Sequence, residues 1–189
     1  GFGSGLGVVK IIEFLCKRAD RRKANRFFGK AQIGGAAAMA FMHGAQDGQK
    51  FIAVFMLGAT LAKGEIAQTT FMIPIWLMIL CSLIMGLGTS IGGYKIIKTV
   101  GMDMVKLEKH QGFATDISAA GGLLISSLFG IPVSTTHMKA TAIMGVGSSK
   151  GLSKVRWDVA KDMVLTWVLT FPGCGLIGFL MAKLFILII

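Results

Sequence analysis

The fold of this chain is decided by one short stretch, Phe129-Gly130-Ile131-Pro132-Val133-Ser134-Thr135-Thr136-His137. The stretch separates two apolar arms, Phe113–Leu128 and Met138–Gly147. The interior of a membrane tolerates irregular backbone only where protein or a water-filled cavity surrounds it. The stretch is therefore a candidate functional site rather than a simple connector.

Composition indicates that this chain lies in a lipid bilayer. Of its 189 residues, 53% are hydrophobic and only 15% are charged, and the mean hydropathy is +0.69. Such values predict an all-α polytopic membrane protein. We expect residues 1–189 to form a single, multi-pass transmembrane domain with the lipid bilayer as a partner. The net charge of +11 lies in short loops, which favours positive-inside topology over nucleic-acid binding.

The most basic segment is 17–30, with seven Lys or Arg residues against one Asp. It is predicted to be a cytoplasmic loop that sets orientation, with a lipid-headgroup or partner site as the alternative. Cys16, Cys81 and Cys174 lie far apart without metal-ligand spacing, so neither a disulfide framework nor a transition-metal site is expected. No nucleophile–base pair stands out, so we expect neither enzyme activity nor an organic cofactor.

The run from Ala31 to Ala62 is almost continuously apolar. As one helix it would measure roughly 48 Å, against about 30 Å of hydrocarbon. A tilted, unbroken helix could absorb part of that excess, but we predict a broken helix at the polar centre, His43-Gly44-Ala45-Gln46-Asp47-Gly48-Gln49-Lys50. An ionisable residue near the midplane marks a functional site, so Asp47 is a candidate ligand. The alternative is a structural ion pair with Lys50 or His43.

A second span is predicted over Thr69–Tyr94. It ends in small residues, Gly86–Gly93, which favour a helix-packing face over a binding site. His110 and Asp116 follow at the mouth of the next apolar stretch, where we expect them to be interfacial.

Arm length predicts how the opening stretch lies in the membrane. Spanning helices need about 20 apolar residues, whereas re-entrant segments have about 10–14. The arm after the turn has ten residues, or 13 counted from Thr135. We therefore predict a re-entrant helical hairpin with its tip, Gly130–Thr136, near mid-membrane. Basic residues at both ends, Lys109 and Lys150, leave two short spans as the alternative.

The residue order at the tip indicates anion binding. Pro132 suits the start of a helix, and Ser134 or Thr135 can act as its N-cap, with the arm beginning around Thr136. Such a helix start favours an anion, and the hydroxyls add hydrogen bonds for an oxyanion or lone pairs for a small cation. Capping alone is the alternative, and His137 is expected to partner these groups. A broken helix that meets a hairpin tip is typical of secondary transporters.

Four motifs appear in one order along the chain: Gly44-Ala45-Gln46-Asp47, Gly88-Thr89-Ser90-Ile91-Gly92-Gly93-Tyr94-Lys95, Pro132-Val133-Ser134-Thr135-Thr136-His137 and Trp167-x-x-Thr170-x-Pro172. In this the chain resembles the PiT family of inorganic phosphate transporters. That family has two related halves of inverted topology, and this chain is most similar to the C-terminal one. The resemblance implies one inverted-repeat half, whose partner is the N-terminal half of the transporter, with a homodimer as a further possibility.

The resemblance implies cation-coupled symport of inorganic phosphate by alternating access, with Na⁺ or H⁺ as the coupling ion and this chain supplying half of the site. The residues it assigns are Gln46, Asp47, Ser134, Thr135 and Thr136 for phosphate, Asp47, Ser134 and Thr135 for the cation, and His43, Gly44, Lys50, Pro132 and His137 in support. A transporter for sulfate or another oxyanion and a non-transporting membrane scaffold or receptor are the alternatives.

Two departures from the family pattern concern the acidic motif. The usual Asn before the Asp is Gln46, and the usual Val-Ala-Asn after it is Gly48-Gln49-Lys50, a form that resembles a bacterial branch. Lys50 bears on the preference for the cation or the anion, and on sodium coupling in particular.

Overall fold

The computed structural model describes residues 1–62, 73–98 and 104–188, and over them the chain is helical with no β-strand. The helices are α1 (Phe2–Leu15), α2 (Arg21–Ala62), α3 (Ile75–Lys98), α4 (Lys109–Leu128), α5 (Thr135–Ser148) and α6 (Trp157–Ile188), with a 3₁₀ turn at Leu152–Lys154. The all-α prediction is confirmed. The chain divides into two compact units, Gly1–Val155 and Arg156–Ile189.

Within the described part of the chain, two helices are long and apolar enough to cross a membrane. These segments are Ile75–Gly93 within α3 and Trp157–Ile186 within α6. Large apolar side chains stand exposed on both, such as Ile91 at 86% and Phe171 at 80%. The predicted span over Thr69–Tyr94 is thus present from Ile75 onward, while residues 63–72 lie outside the described part of the chain.

The core of the first unit lies where α2 and α1 pack on the α4–α5 pair. Methionines of α2 meet small residues of α4 and α5 in one cluster, made of Met39, Met42, Ala119, Ala120, Leu123 and Ala142. Val9 of α1 meets Ala114 and Val146 in a second cluster. Close packing of small residues is how membrane helices associate where water provides no hydrophobic drive.

Helix α2 is continuous from Arg21 to Ala62, so the predicted break at His43–Lys50 is wrong. The helix stays intact because its polar side chains find partners on α4 and in the turn before α5. The amide of Gln46 reaches Ser127, and Lys50 reaches the carbonyl oxygen of Val133. An interior glycine such as Gly44 costs about 1 kcal/mol relative to alanine, which these contacts can offset.

The predicted loop over 17–30 is also wrong as a loop, since residues 21–30 form the first turns of α2. Asp20 accepts a hydrogen bond from the backbone N–H of Arg22 at 2.8 Å, which satisfies one free donor at the helix start. The helix therefore measures roughly 63 Å, with its basic end extending beyond the apolar run.

The turn between α4 and α5 ends one helix and begins the next with capping residues. Gly130 has φ of +66°, and the N–H groups of Gly130 and Ile131 donate to the carbonyls of Ser127 and Ser126, which is a Schellman end for α4. Ser134 is the N-cap of α5, and its Oγ accepts from the N–H of His137 at 3.3 Å. The predicted helix start is confirmed. At 14 residues α5 is roughly 21 Å long, shorter than the hydrocarbon layer of about 30 Å.

The packing of α1 against α5 predicts that Gly145→Ala destabilises the chain. A Cβ at Gly145 would overlap the carbonyl oxygen of Phe2, so the two helices would have to separate. We expect a loss of about 1–3 kcal/mol in unfolding free energy, measured as a lower melting temperature in detergent. Gly121→Ala is the matched control, because a Cβ there meets nothing within 4 Å. Equal melting temperatures for the two variants would contradict this packing.

A second prediction concerns Glu108, which precedes α4 and caps it. Its backbone N–H donates to Gln111 Oε1 at 3.0 Å, and a hydrogen bond from Lys150 holds the pKa of its carboxyl below the ordinary value, although burial acts in the opposite direction. Because the pKa of Glu108 is lower in the folded than in the unfolded chain, ionised Glu108 stabilises the fold above the unfolded-state pKa of about 4.3. This contribution is lost as the pH falls through the folded-state pKa. Lys150→Gln should therefore lower stability at pH 7, by no more than about 1 kcal/mol for such an exposed pair.

The test is the melting temperature of Lys150→Gln and wild type as a function of pH. The difference should vanish in acid, where Glu108 is protonated in both proteins. Lys154→Gln, at an exposed lysine nearby, should show no such pH-dependent difference. A difference that persists unchanged at pH 3 would contradict the assignment.

Candidate functional site

The carboxylate of Asp47 joins the middle of α2 to the hairpin tip. Thr135 Oγ1, in the first turn of α5, donates a hydrogen bond to Asp47 Oδ2 at 3.1 Å. Lys50 Nζ lies 2.9 Å from Asp47 Oδ1, and His43 Nε2 lies 3.3 Å from Asp47 Oδ2. The structure thus contains both expected arrangements, an ion pair within α2 and a contact with the tip.

Lys50 adds a second link between α2 and the turn. Its Nζ donates to the carbonyl oxygen of Val133 at 2.8 Å. Val133 lies in the non-helical segment just before α5, so its carbonyl is free of the α5 hydrogen-bond ladder. One ammonium group therefore bridges a carboxylate of α2 and a backbone oxygen of the tip.

Gln46 points away from this cluster. The side chain is 3% exposed, and its Nε2 donates to Ser127 Oγ at 2.8 Å and to the carbonyl oxygen of Leu123 at 3.4 Å. Because both acceptors belong to α4, the amide fastens α2 to the first arm of the hairpin. Its described contacts are those of a positioning residue.

The other predicted tip residues differ in exposure. Thr135 is buried, whereas Pro132, Ser134 and Thr136 are exposed and His137 is half-buried. Ser134 serves as N-cap, so the capping alternative holds for this residue. The N–H groups of the first turn of α5 and the hydroxyl of Thr136 remain the parts of the tip suited to an oxyanion.

A cavity of about 650 Å³ lies beside this tip. It is bounded by α2, α3, α4 and α5, and its polar lining residues are His43, Ser82, Thr89, Ser90, Asp116, Thr135, Thr136 and Lys139. Gly44 and Gly48 expose backbone to it from α2. Gly86, Thr89 and Ser90 belong to the segment predicted to form a packing face, and they line the cavity instead.

The cavity wall contains an ion pair that sequence reasoning missed. Lys139 of α5 pairs with Asp116 of α4, and the Asp116 side chain is only 10% exposed. Asp116 was expected to be interfacial, and the structure shows it buried and paired with a lysine on the facing helix. The available signal was Lys139 itself, a charged residue inside an arm that otherwise reads as apolar.

The arrangement is suited to binding an ion. Among residues 1–62, 73–98 and 104–188, no group of three His, Cys, Asp or Glu side chains could hold a metal ion. Hydroxyls, a helix start and paired charges of both signs around one cavity can instead hold a small oxyanion.

The Asp116–Lys139 pair predicts strongly non-additive mutations. Lys139→Met alone leaves a buried carboxylate without its partner, which typically costs about 3–5 kcal/mol. Adding Asp116→Leu removes the charge as well, so the double variant should recover most of the melting temperature lost by Lys139→Met. Melting in detergent measures both effects. A double variant no more stable than Lys139→Met would show that the pair is not the cause.

Comparison with known proteins shows the family of this chain. Residues 7–178 match the Phosphate transporter family. A Bacillus subtilis (strain 168) protein described as "Probable low-affinity inorganic phosphate transporter" is 36% identical over 177 residues, which are 94% of this chain and 53% of that protein. A Rhizobium meliloti (strain 1021) protein of the same description is 34% identical over 178 residues, again 94% of this chain and 53% of that protein.

A solved structure described as "The sodium-dependent phosphate transporter" aligns with a TM-score of 0.67 and 32% identity, over 82% of this chain and 39% of that chain. The chain spans about half the length of the curated relatives it matches. The resemblance inferred from the four motifs is thereby confirmed, and the chain belongs to the Phosphate transporter family.

Proposed function

We propose that this chain supplies half of the substrate site of a cation-coupled inorganic phosphate symporter, multi-pass in the plasma membrane. Phosphate and the coupling ion, Na⁺ or H⁺, bind between this half and the N-terminal half of the transporter. One half then rocks against the other to expose the site alternately to the two sides. A second copy of this chain in antiparallel orientation is the alternative partner for the other half of the site.

The observation that carries the proposal is the hydrogen bond from Thr135 to Asp47. It links the two motifs that the family resemblance assigns to the site, although they lie 88 residues apart in sequence. Thr135 and Thr136 also line the 650 Å³ cavity, which is larger than a phosphate ion needs and leaves room for a wet, incomplete site. Half of a shared site would have this character.

Charge supports an anion at this place. Asp47 has both Lys50 and His43 beside it, and α5 directs its N-terminus, with the positive end of its dipole, at the same region. Lys139 adds a cation on the cavity wall, already paired with Asp116. The acid therefore does not leave the cavity with uncompensated negative charge, which would repel phosphate.

The test is phosphate uptake by proteoliposomes that contain the natural protein carrying this chain. Asp47→Asn should reduce uptake by about ten- to a hundredfold, because it removes the charge that accepts hydrogen bonds from Lys50 and Thr135, and the loss of one charged hydrogen bond costs about 1.5–3 kcal/mol. Asp20→Asn is the matched control. Asp20 is an exposed carboxylate that accepts a hydrogen bond from the backbone at the start of α2, away from the hairpin tip. Unchanged uptake by Asp47→Asn would contradict the role of this carboxylate.

Competition in the same assay separates phosphate from the other anions. Excess unlabelled phosphate should abolish uptake of labelled phosphate, whereas sulfate should compete weakly. If sulfate competed as well as phosphate, the transporter would be one for oxyanions in general. If phosphate neither entered the vesicles nor raised the melting temperature of the protein, a scaffold or receptor would be the better description.

A further inference from the structure

The ammonium of Lys50 occupies the place where a transported cation would be expected. Helical transporters coordinate their coupling cations with carboxylates and with carbonyls freed from helical hydrogen bonding. Lys50 Nζ lies 2.9 Å from Asp47 Oδ1 and 2.8 Å from the carbonyl oxygen of Val133. One acceptor is such a carboxylate, and the other is such a carbonyl.

We propose that Lys50 is a tethered substitute for the coupling cation, so that this half of the transporter binds no sodium at Asp47. The inference rests on the proposed function and specifies how that site is coupled. Lys50 follows Asp47 by three residues on one continuous helix, so the two side chains share a face. The ammonium therefore stays with its carboxylate through every state of the transporter.

The charges around Asp47 leave no place for a second cation. Lys50 neutralises the carboxylate, and His43 Nε2 lies 3.3 Å from its other oxygen, Oδ2. The hydroxyl of Thr135 already directs its proton to that same oxygen. Sodium could enter only by displacing the ammonium from both of its acceptors, and it would then lie beside a like charge.

The arrangement also explains how phosphate can approach without sodium in this half. A dissolved cation would have to be captured from solution before the anion could bind near Asp47. The lysine supplies that charge permanently and, through Val133, fixes the turn from which the first turn of α5 begins. In this half, therefore, anion binding depends on the lysine rather than on the sodium concentration.

The test replaces Lys50 and asks whether sodium then binds. In the natural protein carrying this chain, purified in detergent, Lys50→Met should gain a melting temperature that rises with sodium at constant ionic strength, with choline chloride as the balancing salt. The rise should exceed that of wild type, and the double variant Asp47→Asn/Lys50→Met should lose the excess. Lys30→Met makes the same change at an exposed position of α2 and should behave as wild type.

A second readout uses phosphate itself. The slope of the logarithm of phosphate affinity against the logarithm of sodium concentration counts the sodium ions taken up with phosphate. That slope should be larger by about one in Lys50→Met, and it should be unchanged in Lys50→Arg, which keeps a cation in place. Equal slopes in Lys50→Met and wild type, or a folded Lys50→Met that binds no phosphate even at high sodium, would overturn the inference.

Two further measurements keep the result decisive. If Lys50→Met fails to fold, Asp47→Asn alone should leave the sodium slope of wild type unchanged, whereas a slope smaller by about one would mean that sodium occupies Asp47 and would overturn the inference. If wild type binds no phosphate at any sodium concentration, the proposed function fails. The sodium-dependent melting of Lys50→Met still decides whether the ammonium fills a cation site.

Discussion

The first unit of this chain depends on neutralising one carboxylate, that of Asp47, in the middle of a long apolar helix. A charge in such a place is costly unless it is paired and hydrogen-bonded. Lys50 provides the charge from the same helix, His43 Nε2 lies 3.3 Å from the carboxylate, and Thr135 provides a hydrogen bond from another helix. The hydrogen bond that helps to stabilise the Asp47 carboxylate therefore also holds the hairpin tip against α2. In this way one charged residue positions the candidate site.

The hydrogen bonds and ion pairs made by the polar side chains of α2 also explain why this helix does not unwind. A break in the helix would free backbone groups to bind a ligand, but it would also leave those groups unsatisfied when no ligand is present. Here the side chains of Gln46, Asp47 and Lys50 make the contacts with α4, the turn and α5. The backbone of α2 can therefore remain helical while its side chains reach the other motif.

Local chemistry was predictable from sequence, and long-range pairing was not. The turn at Gly130 and the N-cap at Ser134 followed from residues within a few positions of each other. The continuity of α2 depends on partners 81 to 88 residues away, which no local pattern reveals. The pairing of Asp116 was missed for the same reason, since its partner Lys139 lies on the other arm of the hairpin.

The placement of the two ion pairs bears on how the helices could move. Asp47 and Lys50 lie on one helix, and Asp116 and Lys139 join the two arms of the hairpin. A motion that separates α2 from the hairpin would break the hydrogen bonds from Thr135 and Lys50 across that boundary, yet both carboxylates would keep their lysines. The hydrogen bonds would be exchanged for water and the apolar packing of α2 on the hairpin would be lost, but no bare charge would be created in a low-dielectric region. Opening at the boundary between α2 and the hairpin therefore costs hydrogen bonds and packing, while both ion pairs stay intact.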